Sequence, residues 1–122
     1  MDLSIVIPLY NEEESLPELC SWIKQVTDSN GFSYEIILVD DGSRDNSWEI
    51  VKKLSEENKN IRGISFQRNY GKAAALHVGF QEAKGDIVFT MDADLQDNPE
   101  EIPEMVRMIR EDGYDLVSGW KK

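Results

Sequence analysis

The sequence predicts an α/β fold: a mostly parallel central sheet covered on both faces by helices. Two observations carry that prediction. Apolar runs such as Ile5-Val6-Ile7, Ile36-Ile37-Leu38-Val39 and Ile87-Val88-Phe89 are continuous, as in strands buried on both faces. Between them stand helix-length segments whose apolar residues recur at three- and four-residue spacing. Strands alternating with helices in this way imply parallel pairing through helical crossovers. A chain of 122 residues suits one such domain.

Each element has its own warrant. Leu3–Leu9 reads as the first strand, with Pro8 at its end, where a missing backbone donor costs least. Asn11 is expected to begin the first helix, with Glu14 as its capping-box partner. Leu16, Leu19, Cys20, Ile23 and Val26 trace that helix's inner face to about Thr27. After the loop Asp28-Ser29-Asn30-Gly31, Tyr34–Val39 forms a second strand ending in Asp40-Asp41-Gly42-Ser43. A second helix starts near Asp45 or Asn46 and turns Trp48, Ile50, Val51 and Leu54 inward. Ile61–Phe66 is a third strand, Arg68-Asn69-Tyr70-Gly71-Lys72 a turn, and Ala73–Ala83 a third helix closed by Gly85. The fourth strand follows from Asp86, then a helix from Pro99 to about Arg110, a Gly113 stop and a last strand, Tyr114–Ser118.

Composition narrows the function classes. Acidic residues outnumber basic ones by 24 to 13, a net charge of -11, which argues against broad contact with nucleic-acid phosphates. A local site where a metal reverses the sign remains open. The single cysteine, Cys20, excludes an internal disulfide framework and fits the core of a protein in a reducing compartment. No apolar run approaches a membrane span and no signal segment is present, so the sequence reads as soluble and cytoplasmic.

The chemistry concentrates at Asp92-Ala93-Asp94. Side chains two apart on an extended segment share a face, so both carboxylates are expected to converge beyond the strand's carboxyl end. That edge is where open α/β sheets bind ligands, and two carboxylates there suit a hard divalent cation. The structural alternative, capping the next helix, is already met by Asp97 or Asn98, with Pro99 at the first helical position. Glu100 and Glu101 complete that first turn. The pair is surplus to folding, which favours the metal. No Gly-x-Gly-x-x-Gly follows the first strand, Gly71-Lys72 is not a P-loop, and Glu12-Glu13-Glu14 would repel a phosphate. A phosphate bound here therefore needs a metal.

Other residues carry two readings each. Asp40 could accept a hydrogen bond from a uracil or guanine ring, or with Asp41 simply turn the chain. Tyr10 could stack on a base or pack; Lys72 and Arg68 could reach a diphosphate or be solvated. His77, on the helical face of Ala73 and Phe80, reads as a partly buried polar residue. No Ser/His/Asp or Cys/His grouping supports covalent catalysis.

Val6-Ile7-Pro8-Leu9-Tyr10-Asn11-Glu12, Val39-Asp40-Asp41-Gly42-Ser43 and Asp92-Ala93-Asp94, in that order and each at a strand end, resemble an inverting family 2 glycosyltransferase. The resemblance covers the whole chain and implies the GT-A fold, a Rossmann-like three-layer sandwich. Arg68-Asn69-Tyr70-Gly71-Lys72 and Met91-Asp92-Ala93-Asp94-Leu95-Gln96 are similar to one branch, the dolichol-phosphate mannose synthases and bacterial polyprenyl-phosphate sugar transferases. By that resemblance Pro8, Tyr10 and Glu12 line a nucleoside pocket and Asp40 reads the base. Asp92 and Ala93 contact ribose and diphosphate, Lys72 neighbours the diphosphate, and Gln96 faces the site. Asp94, with Asp92, holds Mg²⁺ or Mn²⁺, so the catalytic assignment falls on these two aspartates.

The implied reaction moves a sugar from a UDP- or GDP-sugar donor to a polyprenyl phosphate, with inversion, in cell-envelope glycan synthesis. The metal acts as a Lewis acid while an acceptor oxygen attacks the anomeric carbon through an oxocarbenium-like state. The family's catalytic domain runs well past Lys122, so residues 1–122 would be the donor-binding part of a longer hexosyltransferase at the inner face of a membrane. This part alone is expected to lack full activity, with only Lys121 and Lys122 near the place of the branch's acceptor-phosphate arginines. Uncovered apolar surface would favour a homo-oligomer. The rival readings are a haloacid-type phosphatase, a receiver-like signalling domain using Asp40-Asp41, and a non-catalytic nucleotide- and Mg²⁺-binding module.

Overall fold

Strand β1 (Leu3–Leu9) is buried along its whole length because strands flank it on both sides and helices cover both of its faces. The computed structural model describes residues 1–111; the Gly113 stop, the strand expected over Tyr114–Ser118, Lys121 and Lys122 lie outside the described residues. After β1 come α1 (Leu16–Ser29), β2 (Tyr34–Asp40), α2 (Ser47–Glu57), β3 (Ile61–Ser65), α3 (Lys72–Glu82) and β4 (Ile87–Thr90). A short 3₁₀ turn, Pro99–Glu101, leads into α4 (Ile102–Glu111). All pairings are parallel, in the order β3-β2-β1-β4, with Leu9 beside Asp40 and Val6 beside Thr90.

Helices cover both faces. Leu3, Ile5, Ile7 and Leu9 of β1 join Ile36 and Leu38 of β2 in a core closed by α1, α2 and α4. On the other face Val6, Ile37 and Val39 pack with Ala75 of α3. Gly79 lets α3 approach closely, since a Cβ there would lie 2.3 Å from Cγ1 of Val6. Cys20 is the core residue its spacing suggested, and burial pushes its thiol up to about 12.

At the amino end of the sheet, the buried Glu35 carboxylate accepts from the Ser4 hydroxyl at 2.6 Å and the Lys84 N–H at 2.8 Å. Arg62 adds a contact at 3.2 Å. Burial alone would raise this carboxyl, but these donors outweigh it and hold it below the usual glutamate value.

Three local expectations are corrected. First, α1 begins at Leu16 rather than Asn11, and no side-chain cap bond is made at Ser15. Asn11 adopts φ 56°, and its side-chain oxygen accepts the N–H groups of Arg44 and Asp45 instead. Glu13 also accepts from Asn46 N–H, so the segment expected to open the helix binds the neighbouring loop. Second, His77 is exposed, as are Ala73 and Phe80, because α3 meets the sheet through Ala75 and Gly79. Third, β4 stops at Thr90, before the aspartate pair. Asn98 is the cap before α4, accepting from Glu100 N–H. No helix among the described residues is long and apolar enough to cross a membrane.

Candidate functional site

The chain runs β1, β2, β3 outward to one side and then crosses back to place β4 on the other side of β1. The β1/β4 border is therefore the switch point of the sheet, and a crevice opens beyond the strands' carboxyl ends at such a point. An open cavity of about 300 Å³ lies there. Pro8, Tyr10, Glu12, Lys72, Asp92, Ala93 and Asp94, all predicted site residues, line it together. Leu9 and Asp41 line it as well. Asp40 and Gln96 do not.

Backbone bonds fix how the aspartates arrive. Met91 N–H donates to Val6 carbonyl at 3.1 Å, holding the exit of β4 against β1. Asp92 N–H donates to the buried Asp97 carboxylate at 2.8 Å. The Ala93 carbonyl accepts from Ser15 Oγ, and Leu95 closes the turn at φ 67°, a left-handed conformation that strains a residue other than glycine. Asp92 and Asp94 thus reach one cavity by a turn, not by strand alternation. Asp94 is exposed, and its Oδ1 accepts from Gln96 N–H at 3.3 Å. Gln96 is exposed beside the cavity and meets Asp94 through its backbone N–H.

Charge in the cavity is unevenly distributed. Lys72 Nζ lies 2.6 Å from Asp92 Oδ1. Glu12 and Asp94 also border an adjoining hollow lined by Glu13, Glu14 and Asp45. Such a concentration of carboxylates attracts cations and repels a bare diphosphate. No group of three or more His, Cys, Asp or Glu side chains able to hold a metal is present among the described residues. Asp92 and Asp94 still fit a cation of the Mg²⁺ or Mn²⁺ kind, which takes one or two carboxylates and completes its shell with water and phosphate oxygens.

The Asp40-Asp41 doublet divides its work. Asp40, buried at the end of β2, accepts from Ser43 N–H at 2.7 Å through Oδ1, which makes the turn. Its Oδ2 is buried and has no hydrogen-bond partner among the described residues. A buried carboxylate oxygen left unpaired is costly, and the turn alone does not account for this one. Asp41 accepts from the N–H groups of Tyr70 and Gly71 at 2.7 and 3.0 Å. Sequence reasoning missed that contact, since nothing local pairs a carboxylate with amides about 30 positions away. Tyr70 is exposed and carries the Arg68 guanidinium 4.9 Å above its ring, away from the cavity lining.

Comparison with known proteins follows the same lines. The sequence model of glycosyl transferase family 2 matches residues 4–121. The undecaprenyl-phosphate 4-deoxy-4-formamido-L-arabinose transferase of Shewanella sediminis strain HAW-EB3 is 51% identical over 116 residues, 94% of this chain and 35% of that protein. The chain spans about a third of the length of the curated relatives it matches. Staphylococcus aureus TarS 1–349 in complex with UDP-GlcNAc superposes with a TM-score of 0.69 at 31% identity, covering 91% of this chain and 32% of that one. The mannosyltransferase PcManGT from Pyrobaculum calidifontis, in complex with GDP-Man and Mn²⁺, gives a TM-score of 0.74 at 22% identity, over 94% of this chain and 33% of that one. The architecture they share with this chain is the GT-A fold.

Proposed function

The chain belongs to glycosyl transferase family 2, and on that premise we propose that it forms the donor-binding part of a longer polyprenyl-phosphate sugar transferase. The observation that carries this is the cavity at the β1/β4 switch point, where Pro8, Tyr10, Glu12, Lys72, Asp92, Ala93 and Asp94 meet. The donor is a nucleoside diphosphate sugar, a reading supported by the UDP-GlcNAc held by the TarS neighbour. The acceptor is a polyprenyl phosphate, by analogy with the undecaprenyl-phosphate transferases that share half of this sequence. Its binding segment and any general base belong to the longer protein, which would work at the inner face of a membrane.

Each residue's part follows from its chemistry. Asp40 lies behind the cavity lining, next to Asp41, and its buried, unpartnered Oδ2 is the acceptor that would take the ring N–H of a uracil or guanine base, while Tyr10, 40% exposed at the cavity rim, offers a face for stacking. Asp92 and Asp94 hold a Mg²⁺ or Mn²⁺ ion, which when bound supplies Lewis-acid neutralisation of the departing diphosphate. Lys72, 2.6 Å from Asp92 Oδ1, adds a second positive charge beside the pair. Ala93, buried beside them, leaves room for ribose and diphosphate. A polyprenyl phosphate is largely ionised near pH 7, so its oxygen needs little help from a base; it attacks the anomeric carbon opposite the bond to the nucleoside diphosphate, which breaks as the new bond forms, and this inverts the centre.

The test is a calorimetric titration of this chain with UDP and with GDP, each with and without Mn²⁺. Mn²⁺-dependent binding of one nucleotide is expected and names the donor class. Binding of neither overturns the donor site as read here.

A further inference from the structure

We propose that Asp41 is the positioning residue of this site: it fixes the backbone from which Lys72 reaches Asp92. The inference rests on the donor-site reading above and adds to it a cavity-lining residue whose two carboxylate oxygens are both taken up by backbone amides.

Asp41 is only 5% exposed, and its two carboxylate oxygens accept two successive backbone N–H groups, Tyr70 at 2.7 Å and Gly71 at 3.0 Å. Two amides on one carboxylate fix the orientation of two peptide planes, and bonds to a charged acceptor are the stronger kind. Gly71 stands at φ 108°, and Lys72 follows as the first residue of α3. The same loop is held from a second side. Gly42, at φ 79°, lies so close to it that a Cβ would come within 2.4 Å of the Arg68 carbonyl carbon.

The loop is thus clamped between a carboxylate and a bare backbone, both belonging to the turn after β2. Everything beyond the clamp is long and mobile by chemistry: the Lys72 side chain is 58% exposed and has four methylenes before its ammonium. Its 2.6 Å contact with Asp92 Oδ1 therefore depends on where its backbone is rooted. A carboxylate near the start of a helix also serves the helix itself. The two roles differ in what they predict for Lys72.

A double-mutant cycle separates them. Asp41→Asn, Lys72→Met and the double variant of this chain are titrated with UDP and GDP in Mn²⁺, and their thermal melting is followed in parallel. Asparagine keeps one acceptor and turns an N–H toward a backbone N–H. Each single substitution is expected to weaken nucleotide binding about tenfold, the scale of one hydrogen bond to a charged group. The double variant is expected to stay within about threefold of Lys72→Met alone, because Asp41 acts through Lys72. Additive loss, about a hundredfold in the double variant, overturns the proposal, as does wild-type binding by Asp41→Asn.

Gly42→Ala displaces the same loop with Asp41 intact, and it takes the place of Asp41→Asn in the cycle if that variant does not fold. Failure of both to fold assigns the clamp to stability alone and also overturns the proposal. If the unsubstituted chain binds neither nucleotide, the donor-site reading falls first and this inference with it. If it binds and the cycle is additive, only this inference falls.

Discussion

Asp94 is exposed, and its Oδ1 accepts one long bond, 3.3 Å, from the Gln96 N–H. Removing its charge therefore touches little of the packing. Asp94→Asn is expected to weaken Mn²⁺-dependent nucleotide binding by about tenfold or more, on the scale of a lost charge-assisted contact. The melting temperature should move by no more than about 3 °C, as for other surface substitutions. Calorimetry with parallel melting checks both, and a large stability loss with unchanged affinity contradicts the assigned role. At this scale the sequence was informative where chemistry is local. Two carboxylates around a small residue pointed to one place, and Asp92 and Asp94 do line one cavity; the pattern also put Asp40 at the end of β2, where it is buried. Asp41 was not legible, because its partners are amides brought close only by the crossover from β3 to α3. Nor was the Lys72–Asp92 contact, since a lysine beside a glycine has no periodicity to betray its partner.

Periodicity located the helices, but not where α1 begins. Leu16, Leu19, Cys20, Ile23 and Val26 face the core as their spacing required. The start shifted because Asn11, Glu12 and Glu13 bind across to the loop after β2. Asn11 and Glu12 N–H groups donate to the Ser43 and Ser47 hydroxyls at 2.8 and 2.9 Å. The Asn11 side chain accepts from Arg44 N–H at 2.8 Å and Asp45 N–H at 3.3 Å. A capping box and such a cross-loop contact use the same residue types, so no one-dimensional pattern tells them apart. The consequence is mechanical, as these bonds tie the β1–α1 segment to the β2–α2 segment at the cavity rim. Asn11→Ala removes both accepted bonds and places alanine at φ 56°. The expected loss is about 1–2 kcal/mol in urea denaturation. Asn11→Gly, which keeps the backbone freedom, should lose less, and equal losses would assign the whole effect to the side-chain bonds.

Continuous apolar strands announced a parallel sheet, whereas the order β3-β2-β1-β4 was not in the strands' own residues. That order depends on which side of β1 each crossover lands, which strand patterning does not encode. One interaction holds the finished order at the end of the sheet opposite the cavity. Glu35 of β2 is bonded to Ser4 of β1, Arg62 of β3 and the Lys84 N–H just before β4, so a single carboxylate ties four strands' worth of chain. Burial opposes its ionisation, but these partners prevail and its folded value lies below the ordinary 4.5. As pH falls through 4.5, the unfolded chain takes up this proton before the folded one does. The stability that Glu35 contributes is therefore complete above that value and drains away as pH falls through the lower folded value. Glu35→Gln should cost about 1–3 kcal/mol at pH 7, since one amide N–H must face a donor. Its acid limb should also be shallower than that of the unsubstituted chain, because the titrating group is gone. Urea denaturation at pH 7 and at pH values stepping down past 4 reads both effects. Parallel acid limbs would place the acid sensitivity elsewhere and leave Glu35 as a neutral packing residue.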